Sequence, residues 1–277
     1  MENKFMLADI INKICEPNKD NPIVQETKGC IGYYDELLKQ FIGEKFDSSK
    51  MENALTDPDT NSSTLRDFHQ LLWSKELPNG EKMELKKYKN NGLKWGEITF
   101  GSDSIGTGFI WGKYQEKLKN FHQNDTNFLL TMHNFTLYCY TLGAFIIFPK
   151  HKNSINQVRG RSKTIVDRID LTLNCIRKFY IGGENELCEV LKADAKFFNK
   201  FGKGIKGFES YVKFFLLDDL IKKDGTIDFF LDHDGYPENI DEYNLYREKS
   251  IIFIKKRNER IAQELEKILN EKVQVFL

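Results

Sequence analysis

Nowhere does this chain hold an apolar run long enough to cross a bilayer. The best, Leu142 to Phe148, falls far short of the roughly 20 residues that a spanning helix needs. Neither sign of charge is in excess: Lys plus Arg and Asp plus Glu number 41 each, which excludes a global field drawing the chain to nucleic acid or an anionic membrane. Any attraction for an anion is therefore local. Cys15, Cys30, Cys139, Cys175 and Cys188 are odd in number and widely spaced. With no CxxC and no Cys/His pairing they offer no metal site, and they fit a reducing compartment better than a disulfide framework. The N-terminus lacks the basic segment, apolar core and small-residue cleavage site of a signal peptide. These absences point to a soluble, cytoplasmic protein. What the chain does have is aromatic content, 22 Phe and 11 Tyr, and a length of 277 residues, enough for one large packed domain.

Apolar spacing predicts helices over 3–15, 31–42 and 64–74, the last capped by Ser63 or Thr64, with a polar connection between Gly43 and Ser63. From Leu77 the pattern changes. Pro78-Asn79-Gly80 signals a turn, and Met83 to Tyr88, Trp95 to Phe100, Gly108 to Trp111 and Phe135 to Phe148 alternate or bunch as strands. Helices are expected again over 162–181, 185–201, 207–222 and about 240–270. The expected fold is α+β within a single domain, 1–277: a helical region over 1–75, a mostly antiparallel or mixed sheet in 76–149, and a larger helical region over 150–277. The last helix has one apolar side, Ile254, Ile261, Leu265 and Ile268, which fits docking on the domain better than an oligomer seam because heptads are not sustained.

The most informative stretch runs from Thr136 to Tyr180, where an apolar strand closed by Pro149 meets a basic loop and then a long amphipathic helix. No acid lies between Lys150 and Thr164, and Lys150, His151, Lys152, Asn156, Arg159, Arg161 and Lys163 crowd the approach to the helix. A helix start offers unpaired N–H groups and partial positive charge, so Lys150, His151, Asn156, Arg159 and Arg161, with Arg168 further along, read as an anion-binding set for a phosphate or carboxylate. On one continuous helix, Arg161 and Arg168 share the border between an inward stripe (Ile165, Val166, Ile169, Leu173, Ile176, Tyr180) and an outward face carrying Asp170. Thr164 and Thr172 occupy the positions one turn from Arg168, so a structural partner for it has to come from elsewhere. Asp218 and Asp219, at the end of helix 207–222, oppose that helix's macrodipole and call for cations. Salt bridges to Arg159, Arg161 or Arg168 are the structural alternative to a functional site for these charges.

Other features carry less. Gly101 to Gly108 is Gly- and Ser-rich but matches neither phosphate-loop nor dinucleotide fingerprints and reads as a hairpin connection, with Asp103 near the basic loop. Pro58-Asp59 with Glu84-Leu85-Lys86 formally matches a metal-dependent nuclease pattern, but in a polar loop where that site needs strand ends. Arg66 and His69 share a helix face at a spacing too short for the helical HEPN ribonucleases.

Phe148-Pro149, Ile155-Asn156-Gln157-x-Arg159-Gly160 and Asp167-Arg168-x-Asp170-Leu171-Thr172-Leu173-x-Cys175-Ile176-Arg177 resemble a bacterial family known only as a domain of unknown function. The likeness runs from about Leu65 to the last helix. It implies a bacterial, cytoplasmic setting and no catalytic assignment. Two functions compete. One is binding, with turnover, of a phosphorylated ligand, nucleotide or nucleic acid, with Asp103, Asp170 or Asp218 as acid, base or metal ligand. The other is a non-catalytic module that senses an anion or a partner, in a defence or regulatory system. A purely structural Arg–Asp network is the reading both must beat. No cofactor is indicated.

Overall fold

The computed structural model describes residues 2–27, 58–89, 92–105, 121 and 128–274. The helix expected over 31–42 and the strand at Gly108 to Trp111 lie outside them. The chain opens with α1 (Glu2–Cys15) and α2 (Pro22–Glu26), then α3 (Pro58–Asn61) and α4 (Ser63–Trp73). The cap of α4 is Ser62, one residue earlier than expected, its hydroxyl accepting from Leu65 N at 3.0 Å. The Glu26 carboxylate also sits at this helix start, accepting from Thr64 N and from the hydroxyls of Ser62, Ser63 and Thr64. Burial pushes the Glu26 carboxyl up, but those hydrogen bonds outweigh it and hold it below its ordinary value.

The fold is α+β, with a four-stranded antiparallel sheet in the order β1 (Lys86–Lys87), β2 (Leu93–Trp95), β3 (Ile98–Ser104), β4 (Phe145–Pro149). Three expected boundaries are corrected. Gly101 to Ser104 belongs to β3 and is not a connection. The first strand shrinks to two residues. The segment expected as one strand from Phe135 is first a helix, α5 (Phe128–Cys139), then a 3-10 turn over Leu142–Ala144, and only then β4. A short, wholly apolar run has no period to separate buried helix from buried strand. Thr131 and Thr136 meanwhile return their hydroxyls to Phe128 O and Met132 O, which suits the helix.

After β4 come α6 (Ile155–Arg161), α7 (Ile169–Tyr180), α8 (Cys188–Ala193), α9 (Ala195–Phe198), α10 (Gly204–Phe214) and α11 (Ile240–Gln274). The helix expected over 162–181 is thus two helices joined by a turn, and 185–201 and 207–222 break into shorter pieces ending in 3-10 turns. β4 is buried along its whole length. Trp73 and the rings of Phe197, Phe201, Tyr211, Phe214 and Phe215 pack edge-on and tilted beside it, with Phe214 and Phe215 at 4.9 Å. Each such ring contributes on the order of 1.5–3 kcal/mol by leaving water.

α11 docks on this core through Tyr243, Tyr246, Phe253, Ile254, Ile261 and Leu265. It presses on the 3-10 turn so closely that a Cβ on Gly143 would lie 2.7 Å from Asn258 Oδ1 and from Ile254 O. Glycine is what permits that approach. No described helix is long and apolar enough to cross a membrane.

Candidate functional site

The basic segment leaves β4 over its neighbour strand. Lys150 N donates to Thr99 O at 2.7 Å, Thr99 Oγ1 donates to Lys150 O at 2.7 Å, and the Lys150 stem lies across Gly101. Asn156, on the first turn of α6, donates through Nδ2 to Ser102 O at 3.1 Å. It is thereby an anchor of α6 on β3, although its Oδ1 is buried without a hydrogen-bond partner.

His151 turns away from the loop. Its Nδ1 faces Lys152 O at 2.9 Å and its Nε2 faces both Asp194 oxygens at 3.2 Å. Two acceptors on one ring are both satisfied only by the imidazolium. Partial burial works against that charge, but the Lys152 carbonyl and the Asp194 carboxylate raise the pKa above its ordinary value. On the other side, burial pushes the Asp194 carboxyl up and His151 offsets only some of this.

Arg159 and Arg168 are both fully buried. Arg159 Nε lies 2.9 Å from Asp103 Oδ2 and donates to Asp167 Oδ1 at 3.1 Å. Its Nη1 donates to Thr172 Oγ1, and its Nη2 to the carbonyls of Ser104 and Asp167. Burial works against the charge, and the two carboxylates outweigh it and raise the guanidinium pKa. Arg168 is still more fully engaged. Nε and Nη2 form a two-pronged pair with Asp170 at 3.3 and 2.7 Å, while Nη1 donates to His233 O and Gly235 O and Nη2 reaches Leu231 O. That accounts for every N–H a guanidinium has. Asp170 Oδ2 in turn accepts from Phe230 N at 2.8 Å.

This arrangement corrects the helical wheel. Ser162 Oγ caps a turn by accepting from Thr164 N and Ile165 N, Val166 and Asp167 enter the left-handed region at φ 44 and 63, and Arg168 is extended and precedes α7. Arg161 and Arg168 therefore share no helix, and Asp170 faces the interior instead of solvent. Gly160 allows the reversal, since a Cβ there would meet the Asp167 carboxylate at 3.0 Å. The expected bridges to Asp218 and Asp219 also go elsewhere: Arg260 of α11 holds Asp218 at 2.7 Å and Asp219 at 2.9 Å. Among the expected acids, only Asp103 stays beside the loop, bound to Arg159.

What remains open is the surface of the loop. Lys150, Lys152, Arg161 and Lys163 are exposed, and none has a carboxylate partner within the described residues. The nearby acids are already engaged: Asp103 and Asp167, the latter with 30 % of its side chain exposed, by Arg159, Asp194 by His151, and Glu186 by Ser162 and Thr164.

One polar constellation has almost no signal in the sequence. His69 Nε2 lies 2.9 Å from Ser102 Oγ across α4 and β3, beside a cavity of about 10 Å³ whose lining includes Asp59, Arg66 and Gly101. It looks like a nucleophile and its base, but the proton is on the wrong nitrogen: Trp73 Nε1–H donates to His69 Nδ1 at 3.0 Å, so Nε2 carries hydrogen and donates to Ser102. Burial, with Arg257 nearby, holds the ring's pKa down to about 3. This is a neutral, structural histidine. Only the four-residue spacing of His69 and Trp73 on one helix face hinted at it. The formal nuclease acids do not meet either: Asp59 is on α3, and Glu84 is exposed and paired with Lys82 at 3.4 Å. Among the described residues no three His, Cys, Asp or Glu side chains are placed to hold a metal ion.

A family model, DUF6994, described as a family of unknown function, matches residues 42–261. The chain belongs to that family. No curated protein and no solved structure matches it.

Proposed function

Starting from membership of a family without an assigned activity, we propose that the protein is a non-catalytic module that binds an anionic ligand or partner at the basic loop between β4 and α7. One observation carries this reading. The segment divides its cations in two, committing Arg159 and Arg168 to internal carboxylates and carbonyls and leaving Lys150, Lys152, Arg161 and Lys163 in solvent with no acid among the described residues paired with them. The buried pair supports the loop's shape, and the exposed four supply its field. Lysines on mobile stems bind as point charges, so the affinity is strongly salt-dependent. The three acids named for catalysis favour binding over turnover, because Asp170 is sealed beneath Arg168, Asp218 is held by Arg260 and Asp103 is paired with Arg159.

The test is calorimetric titration with tripolyphosphate and with ATP at low and at physiological salt, for the wild type and a Lys150→Glu/Arg161→Glu double variant. The variant is expected to bind roughly tenfold more weakly or worse, each lost charge contact being worth on the order of 1 kcal/mol, with its melting temperature unchanged. Wild-type protein that binds neither compound refutes the reading, and phosphate released during incubation would favour turnover instead.

A further inference from the structure

We propose that the partner is single-stranded nucleic acid, lying across the lysine-bearing end of the sheet beside the basic loop. This rests on the anionic-partner reading and names its class. The register carries it. Lys86 is directly opposite Lys94, Lys94 is opposite Thr99, and Thr99 exchanges hydrogen bonds with Lys150, which follows Pro149 of β4. Residues opposed across antiparallel strands point to the same face, so Lys86, Lys94, Thr99 and Lys150 form one row across all four strands. With strands about 4.8 Å apart, the row is about 14 Å long. Lys86 and Lys150 are exposed, Lys94 is half-buried, and no described carboxylate pairs with any of the three.

The placement works against folding. Like charges directly opposite on a sheet are destabilising, and one sign alternation would have removed the cost. Lys82 and Lys87, by contrast, are each given an acid, Glu84 and Asp67. An unrelieved positive row beside relieved ones is what a polyanion requires.

The row has an aromatic end. Tyr88, two residues beyond Lys86 and so on the same face, is 46 % exposed, and the Lys94 ammonium lies 5.3 Å from its ring centroid. With Lys82, Lys86, Lys87 and Lys94 it lines an open cleft of about 620 Å³, whose one acid, Glu84, is paired with Lys82. A cationic track with an exposed ring on a sheet surface matches the chemistry of unpaired bases, which stack on aromatics while their phosphates meet lysines. A duplex keeps its bases stacked internally and cannot use Tyr88, and an acidic peptide would use the lysines alone.

The experiment is fluorescence anisotropy of the full chain with a labelled oligouridylate, a duplex of equal length, and heparin as competitor, across a salt series. Oligouridylate is expected to bind more tightly than the duplex. Tyr88→Ala should weaken it roughly tenfold without changing the salt slope, Tyr88→Phe should restore it, and Lys86→Glu/Lys94→Glu should flatten the slope. Equal binding of duplex and single strand, with Tyr88→Ala silent, overturns the nucleic-acid assignment. If Lys150→Glu/Arg161→Glu still abolishes tripolyphosphate binding in that case, the anion-binding reading stands. Failure of the wild type to bind oligouridylate, heparin and tripolyphosphate alike overturns both.

Discussion

Arg168 shows how one residue was half legible. Thr164 and Thr172 ruled out a partner one turn away, which left a partner from elsewhere in the chain, and the carbonyls of Leu231, His233 and Gly235 are that. The partner at i+2, Asp170, was invisible because helical spacing forbids it; it becomes available once Arg168 stands before the helix instead of within it. The pair is fully buried, so breaking one side strands a charge in the interior. Arg168→Leu should cost about 3–5 kcal/mol of unfolding free energy, and Asp170→Asn should likewise lower it. Urea denaturation measures this. A variant as stable as the wild type would mean that the arginine is not a structural post and would return it to the ligand.

At the scale of elements, apolar periodicity located most helices but ran straight through the turn at 162–168. Ile165, Val166 and Ile169 are all buried, so their spacing looks continuous although the backbone reverses between them. Only the left-handed φ values at Val166 and Asp167 mark the break, and neither residue type announces it. Two histidines tie the loops that flank this turn, His151 to Asp194 and His233 to Glu242. The His233 ring repeats the His151 geometry, with Nδ1 on Asp234 O and Nε2 on Glu242 Oε2 at 3.0 Å. The Asp234 carbonyl raises its pKa, burial works against the charge, and Glu242 adds to the rise, which prevails. Both folded-state values lie above the ordinary histidine value of about 6.5, so the stabilisation is complete below that pH and is lost as pH rises through the folded pKa. The melting temperature should fall as the pH rises above about 6.5, and a His151→Gln/His233→Gln variant should lose most of that slope. An unchanged slope in the variant would assign it to other groups.

At the scale of the molecule, the α+β class and the docking of the last helix were readable from the order of expected strands and helices and from one apolar stripe, but not how α11 joins sheet to helices. Arg257 is the joint. Fully buried, it donates through Nη1 to Gly143 O and Phe145 O, both at 2.7 Å, and through Nε and Nη2 to Phe215 O at 3.3 and 3.2 Å. No carboxylate among the described residues shares that site, and burial pushes the guanidinium's pKa down to about 9. A pattern-based reading places a charged residue of an amphipathic helix in solvent and cannot see three backbone carbonyls converging from the strand entry and from the end of α10. Asn258 adds a second tie, accepting from Gly143 N and donating to Thr141 Oγ1. Arg257→Leu leaves three interior carbonyls short of donors, each worth about 1–3 kcal/mol, so a loss of at least about 3 kcal/mol is expected. Because one side chain spans the sheet entry, α10 and α11, the loss should lower the transitions seen by tryptophan fluorescence and by far-ultraviolet circular dichroism together. If the helical signal holds its midpoint while the fluorescence transition falls, sheet and helices unfold as separate units and Arg257 does not couple them.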